Sequence, residues 1–174
     1  ELDLYTNLYS FLSTNTNSIN DRYKELYSIY QDSLLNLYPK NSFSDKIAHA
    51  NVLITNRDYE EAIGILTSLL KGFDLNDRSY ATIAYMLSQC YAEQESIQEQ
   101  LYYLIKSSQS DIICGVKEHA ALTKLALILY KNDDINRAYN YIRVSLNDAI
   151  ESNTQIRRQE VIDILPLIDY AYQS

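Results

Sequence analysis

Glycine and proline are scarce in this chain, three and two among 174 residues. So few punctuators leave little room for the turns of a many-stranded β fold. Gly64, Gly72 and Gly115 stand apart, so there is no glycine-rich loop to cradle a phosphate. Tryptophan is absent. The only histidines, His49 and His119, are 70 residues apart, and no HExxH pattern or neighbouring histidine completes a metal site. Each reads as a packing or surface residue. Cys90 and Cys114 have no local His or Asn signature, which argues against nucleophilic catalysis. Both fall in helical patterns and read as free buried thiols; the spacing leaves a disulfide open and the redox compartment undecided. No run of 18 apolar residues exists, so no membrane-spanning helix is expected within the chain. Positive charge is in deficit: 15 Lys and Arg oppose 23 Asp and Glu, a net charge of −8. That balance repels phosphate backbones and predicts no direct nucleic-acid binding by this chain. There is no signal peptide and no initiating Met, and the chain reads as a mature or excised part of a longer protein.

What is abundant is hydrophobic residue, 47% of the chain, and tyrosine, 17 residues. The apolar residues recur with helical spacing, which predicts about nine helices. They cover Leu2–Ser13, Asp21–Tyr38, Ser42 or Ser44 to Thr55, Tyr59–Lys71, Asp77–Tyr91, Ser96–Ile113, Val116–Lys131, Ile135–Ser152 and Thr154–Tyr172. Tyr23, Leu26, Tyr27, Tyr30, Leu34 and Leu37 form the stripe of the second, and Pro39 ends it because the residue before proline avoids the helical region. Pro166 should kink the last helix, since its ring clashes with the carbonyl of Ile162.

A repeat runs through these helices. Asn56-Arg57-Asp58-Tyr59-Glu60-Glu61-Ala62 resembles Asn132-Asp133-Asp134-Ile135-Asn136-Arg137-Ala138, an offset of 76 residues or two periods of 38. The middle copy falls at Gln100. Twelve residues earlier sit Ala50, Ser88 and Ala126; nine earlier sit Leu53, Tyr91 and Leu129. Four later sit Leu66, Leu104 and Ile142, and seven later Leu69, Ser107 and Ser145. Small residues where helices cross, flanked by large ones, are what a stack of helical hairpins needs. Replacing Leu66 or Leu104 with Ala should therefore cost about 2–5 kcal/mol.

The spacing resembles the tetratricopeptide repeat (TPR), a helix–turn–helix unit of about 34 residues. Units would span Phe43–Asn76, Ala81–Cys114 and His119–Ser152, with residues 153–174 as a C-terminal capping helix. The resemblance implies an all-α, antiparallel helical-hairpin stack, a TPR-like right-handed solenoid, forming one domain. Lys46 and Ala84 stand where TPR units carry a large residue, and Gln100 where they carry a small one.

Residues 110–172 are also similar to the TPR-containing transcriptional regulators of anaerobic gut bacteria. Val116-Lys117-Glu118, Ile135-Asn136-Arg137-Ala138-Tyr139 and Ile164-Leu165-Pro166 carry that likeness. It implies a sensory or scaffolding region outside the cytoplasmic membrane (periplasmic) of a membrane-anchored protein whose spanning and DNA-binding parts lie elsewhere.

Two carboxylates adjoining a helix start, Asp133 and Asp134, read as caps meeting the positive end of the helix dipole rather than as calcium ligands. Glu60, Glu61, Glu93, Glu95 and Glu99 read as solvated faces. No catalytic residue, metal ligand or cofactor is expected. What remains is a surface. First helices of TPR hairpins line the concave side, which places Asn51, Tyr85, Gln89, Thr123 and Tyr130 there, with Ile47, Ile54, Ala92 and Leu127 between them. Tyr rings with Asn and Gln amides can hold an extended peptide, or a polar oligomer such as a sugar, by stacking and amide hydrogen bonds. Packing of those rings between repeats is the alternative. The expected role is non-enzymatic binding of a protein or peptide partner. A cytoplasmic TPR adaptor and a helical hydrolase with a dispersed site are the competing readings. The N-terminal segment 2–12 is apolar over about half its circumference, too wide for a terminal helix. It predicts preceding hairpins removed from this chain and self-association into a dimer; the alternative is that this helix folds flat over the second and third and buries its wide face alone.

Overall fold

The computed structural model describes residues 20–117, 120–152 and 155–174. They form eight helices and no strand: α1 (Asn20–Leu37), α2 (Phe43–Asn56), α3 (Tyr59–Leu70), α4 (Arg78–Glu93), α5 (Ile97–Ile113), α6 (Ala120–Lys131), α7 (Ile135–Glu151) and α8 (Gln155–Gln173). The expected helix at Leu2–Ser13 and His119 lie outside the described residues. Contacts gather the chain into two units, residues 1–65 and 66–174.

In the first unit α1 lies against α2. Pro39 closes α1, and the Ser42 amide donates to the Pro39 carbonyl at 3.0 Å, with Asn41 in the left-handed region at φ 63°. Ser42 caps α2. Its hydroxyl accepts from the Asp45 amide at 3.1 Å, while the Asp45 carboxylate accepts from the Asn41 amide at 2.8 Å. Two orphan donors at the helix start are thus satisfied reciprocally. Ala50, Leu53 and Ala62 are buried. Leu37, expected on the apolar stripe of α1, is instead 65% exposed, because it is the last helical residue and the turn at Pro39 carries it away from α2.

The 38-residue period is written into the backbone. Arg57, Glu95 and Asp133 all take left-handed φ values, 68°, 58° and 59°. Each closes the first helix of a hairpin with the same pair of bonds. Arg57 and Asp58 donate to Ile54 and Leu53; Glu95 and Ser96 to Ala92 and Tyr91; Asp133 and Asp134 to Tyr130 and Leu129. Such paired bonds satisfy the last free carbonyls and reverse the chain within a few residues. Gly115, at φ 64°, ends α5 in the same way, its own amide on Ile112 and that of Val116 on Asp111. That closure leaves Val116 and Lys117 outside α6, which was expected to begin at Val116.

In the second unit α5 pairs with α4, and α6, α7 and α8 follow in antiparallel order. Asp77 caps α4 through a 2.7 Å bond from the Ser79 amide. Two serines of α5 and the cysteine that follows it reach backbone carbonyls at or before the start of α4: Ser107 to Ala81 at 2.9 Å, Ser110 to Asp77 at 3.1 Å, and Cys114 to Leu75 at 3.9 Å. The C-terminal half of α5 therefore lies close along the N-terminal half of α4, a spacing that larger side chains would not permit. Ser88 and Ala126 are buried at the crossings, and Leu104 and Ile142 fill the neighbouring gaps. Leu66 is also fully buried. Gln100, where the other copies have Ala, is half-buried. Helix α8 runs unbroken through Pro166 and packs on α7 and α6, with Val161 and Ile168 joining Ala126, Ala138 and Ile142.

Candidate functional site

The first helices α4 and α6 supply most of the expected binding residues, and the structure sorts them. Gln89 is exposed. Tyr85, one turn earlier on α4, is half-buried and leans on Leu104, Ala121 and Leu125, so its body is anchored against α5 and α6. Tyr130 is half-buried on α6, packed beside Ala126, Ala138 and Ile142. Thr123 does not reach a surface: it is 3% exposed, one of a run on α6 from Ala120 to Ala126 in which only Lys124 is exposed. It sits inside because α6 is covered by α5 on one side and by α7 and α8 on the other. Asn51 is half-buried in the first unit, at the repeat position that Gln89 holds in the second. The structure thus joins Tyr85 and Gln89 on α4, sets Tyr130 on α6, and leaves Asn51 in its own unit.

Around Tyr91, a position of the repeat, gather tyrosines of the α4–α5 hairpin that the repeat argument left aside. The Tyr91 and Tyr103 rings stack with centroids 5.5 Å apart, and Tyr102 meets Tyr103 edge-on at 5.1 Å. Lys106 lies 5.9 Å over the Tyr102 ring. Burial, then the neighbouring Tyr91, Tyr102 and Tyr80 hydroxyls and Glu99, pushes the Tyr103 phenol above its ordinary range. A second aromatic group joins α7 to the end of α8: Tyr139 and Tyr172 stack at 3.9 Å, and Arg143 donates to the Tyr139 hydroxyl at 3.2 Å. Apart from Tyr91, the 38-residue period marked none of these rings, so it could not find the groups.

The charged groups serve the helix ends. Asp134 accepts from the Arg137 side chain at 2.6 Å and from the Arg137 amide at 3.2 Å. Those bonds hold its carboxyl below the usual carboxylate range and settle it as the cap of α7. Lys117 pairs with Glu151, tying the segment before α6 to the end of α7, and the bond raises the lysine. Among the described residues no group of three or more His, Cys, Asp or Glu side chains is placed to hold a metal ion. Among the described residues no helix is long and apolar enough to cross a membrane.

Helical hairpins closed by the same left-handed turn every 38 residues, with small residues buried on their first helices, have the construction of TPR units. Comparison with curated proteins and with solved structures finds no match. The family model described as the SusR N-terminal TPR domain matches residues 2–163, nearly the whole chain, and the chain belongs to that family.

Proposed function

We propose that this chain is the recognition region of a membrane-anchored transcriptional regulator, held outside the cytoplasmic membrane, and that it takes an extended protein segment on α4 and α6. A TPR domain is a non-catalytic scaffold for protein binding, which supplies the general role. The observation that carries the site is the pairing on α4 of an exposed amide, Gln89, with a ring one turn away, Tyr85, whose body is fixed by the core beneath it. An amide can pair with both the N–H and the C=O of an extended backbone. A ring already held by packing loses little freedom when a partner covers it, so it makes an effective anchor. Tyr130 offers a second ring on α6. Thr123, being buried, has no part in this face.

Two measurements test the reading. Peptides selected by display against the chain should bind the wild type, and Tyr85→Ala should weaken binding by more than about 1 kcal/mol, the level of a contact that matters. Unchanged affinity for both Tyr85→Ala and Gln89→Ala would remove this face from consideration. Protease added to spheroplasts expressing the full-length protein should digest the repeat region. Protection until lysis would replace the membrane-sensor reading with a cytoplasmic adaptor.

A further inference from the structure

The second helix of each hairpin carries an outward row, and only the middle copy makes it largely apolar. On α5 the row is Gln98, Tyr102, Ile105, Gln109 and Ile112. It is turned away from Ser107, which bonds α4, and from Leu104, which is buried with Ala121 and Leu125 of α6. All five are exposed, Tyr102 by 54%, Ile105 by 45% and Ile112 by 60%. The same repeat positions hold Asn136, Asn140, Arg143, Asn147 and Ile150 one period later, and Glu60, Gly64, Thr67, Lys71 and Asp74 one period earlier. The buried residues of the repeat recur because every hairpin must pack. Tyr102 and Ile105 do not recur, and packing within the hairpin does not require them. Helix α5 lies mid-chain between α4 and α6, so the place where the chain stops does not expose this row. An open apolar row on such a helix marks a contact surface.

The five residues are spaced by alternating steps of four and three, the seam of a two-stranded coiled coil. Glu99, Lys106 and Ile113 flank it on one side; on the other, Leu101 packs with Leu104, Ala121 and Leu125. Lys106 meets neutral groups of its own chain: it donates to the Gln109 side-chain oxygen at 3.4 Å and lies 5.9 Å over the Tyr102 ring. Its positive charge therefore stands at the edge of the seam. Glu99 is exposed two turns earlier on the same edge, about 10 Å away along the axis.

We infer that this row pairs with the same row of a second copy of the chain, antiparallel, about a two-fold axis between Tyr102 and Ile105. In that register Tyr102 of each copy faces Ile105 of the other, which forms the apolar centre. Gln98 faces Gln109 at both ends, and each amide can donate to and accept from its opposite. Glu99 faces Lys106 twice, at the positions where flanking charges select partner and orientation in paired helices. Charge also rejects the alternatives. A slide of one heptad sets Lys106 against Lys106 in one direction and Glu99 against Glu99 in the other. Parallel pairing sets Lys106 against Leu101 and makes no ion pair. A surface complementary to itself under a two-fold rotation is what an isologous dimer requires. Helix α5 is already held by α4 and α6, so pairing does not have to order it. Tyr85 and Gln89 of α4 lie outside this contact.

Sedimentation equilibrium in about 0.15 M salt tests the pairing, since repulsion between two chains of net charge −8 is then screened beyond about 8 Å. One pair of helices is a small contact, so the wild type should pass from monomer to dimer between about 1 and about 500 µM. Ile105→Ser should weaken the dimer at least tenfold while the thermal unfolding curve stays unchanged, since that side chain is open. Lys106→Glu alone and Glu99→Lys alone should each weaken it at least tenfold, because like charges then meet twice. The two changes together should restore it to within about threefold of the wild type, because the pairs re-form with their signs exchanged. A monomer throughout that range overturns the inference. So does a dimer that Ile105→Ser leaves at full strength, or one that the combined charge exchange fails to restore. A dimer lost instead through Leu4→Ser with Leu8→Ser places the contact on segment 2–12 and overturns it as well.

Discussion

Cys90 and Cys114 show how strongly position separates two residues of one kind. Cys90 is fully buried on α4, and burial pushes its thiol up to about 11, so at neutral pH it is neither reachable nor ionised. Cys114 is half-buried at the end of α5. A thiol reagent at pH 8 should modify Cys114 quickly in the native protein and Cys90 only as fast as the chain unfolds. Equal rates, followed by mass spectrometry of the labelled peptides, would contradict the burial of Cys90. Glu95 poses a backbone question. A left-handed residue other than glycine costs roughly 1–2 kcal/mol, and glycine returns about 0.5–1 kcal/mol of that to the unfolded chain as entropy. Glu95→Gly should therefore stabilise the protein by about 0.5–1 kcal/mol in urea unfolding. A loss of stability would mean that the turn at Glu95 is not left-handed.

At the scale of the helix, equivalent residues in successive hairpins need not do equivalent work. Ser107 and Ser145 are 38 residues apart, and both are buried. Ser107 bridges α5 to the Ala81 carbonyl on α4, whereas the Ser145 hydroxyl has no partner. Losing a made bond costs about 0.5–1.5 kcal/mol, and removing a buried hydroxyl that has none relieves a penalty of about 1–3 kcal/mol. Ser107→Ala should lower stability while Ser145→Ala leaves it equal or raises it, measured side by side by urea unfolding. The reverse order would show that the two hairpins are held alike.

The whole molecule carries a net charge of −8. In the ion pairs Lys117–Glu151, Arg137–Asp134 and Lys40–Asp45 at least one partner is well exposed. Exposed pairs contribute little, so screening them costs little, while screening the repulsion of an acidic chain favours the compact state. Raising sodium chloride from about 0.02 M to about 0.5 M should raise the midpoint of thermal unfolding by at least about 2 °C. A fall would place more stability in the ion pairs than their exposure allows. The acidity also bears on partners, since a net charge of −8 favours the approach of basic segments over acidic ones.

Much of this architecture is local in origin and was therefore legible in the residues. Helical periodicity, the caps at Ser42, Asp77 and Asp134, and the breaks at Pro39 and Gly115 act within a few residues. The small residues Ala50, Ser88 and Ala126 and the large Leu66, Leu104 and Ile142 marked the hairpin register before any contact was known, and all six are buried. Sidedness was not local. Tyr85 and Thr123 hold the same repeat position on α4 and α6, yet Tyr85 is half-buried and Thr123 buried, because α6 is covered by α5 on one side and by α7 and α8 on the other. Which neighbouring helix covers a row depends on how hairpins stack, and stacking joins residues far apart in the chain. Only the tertiary structure could decide that.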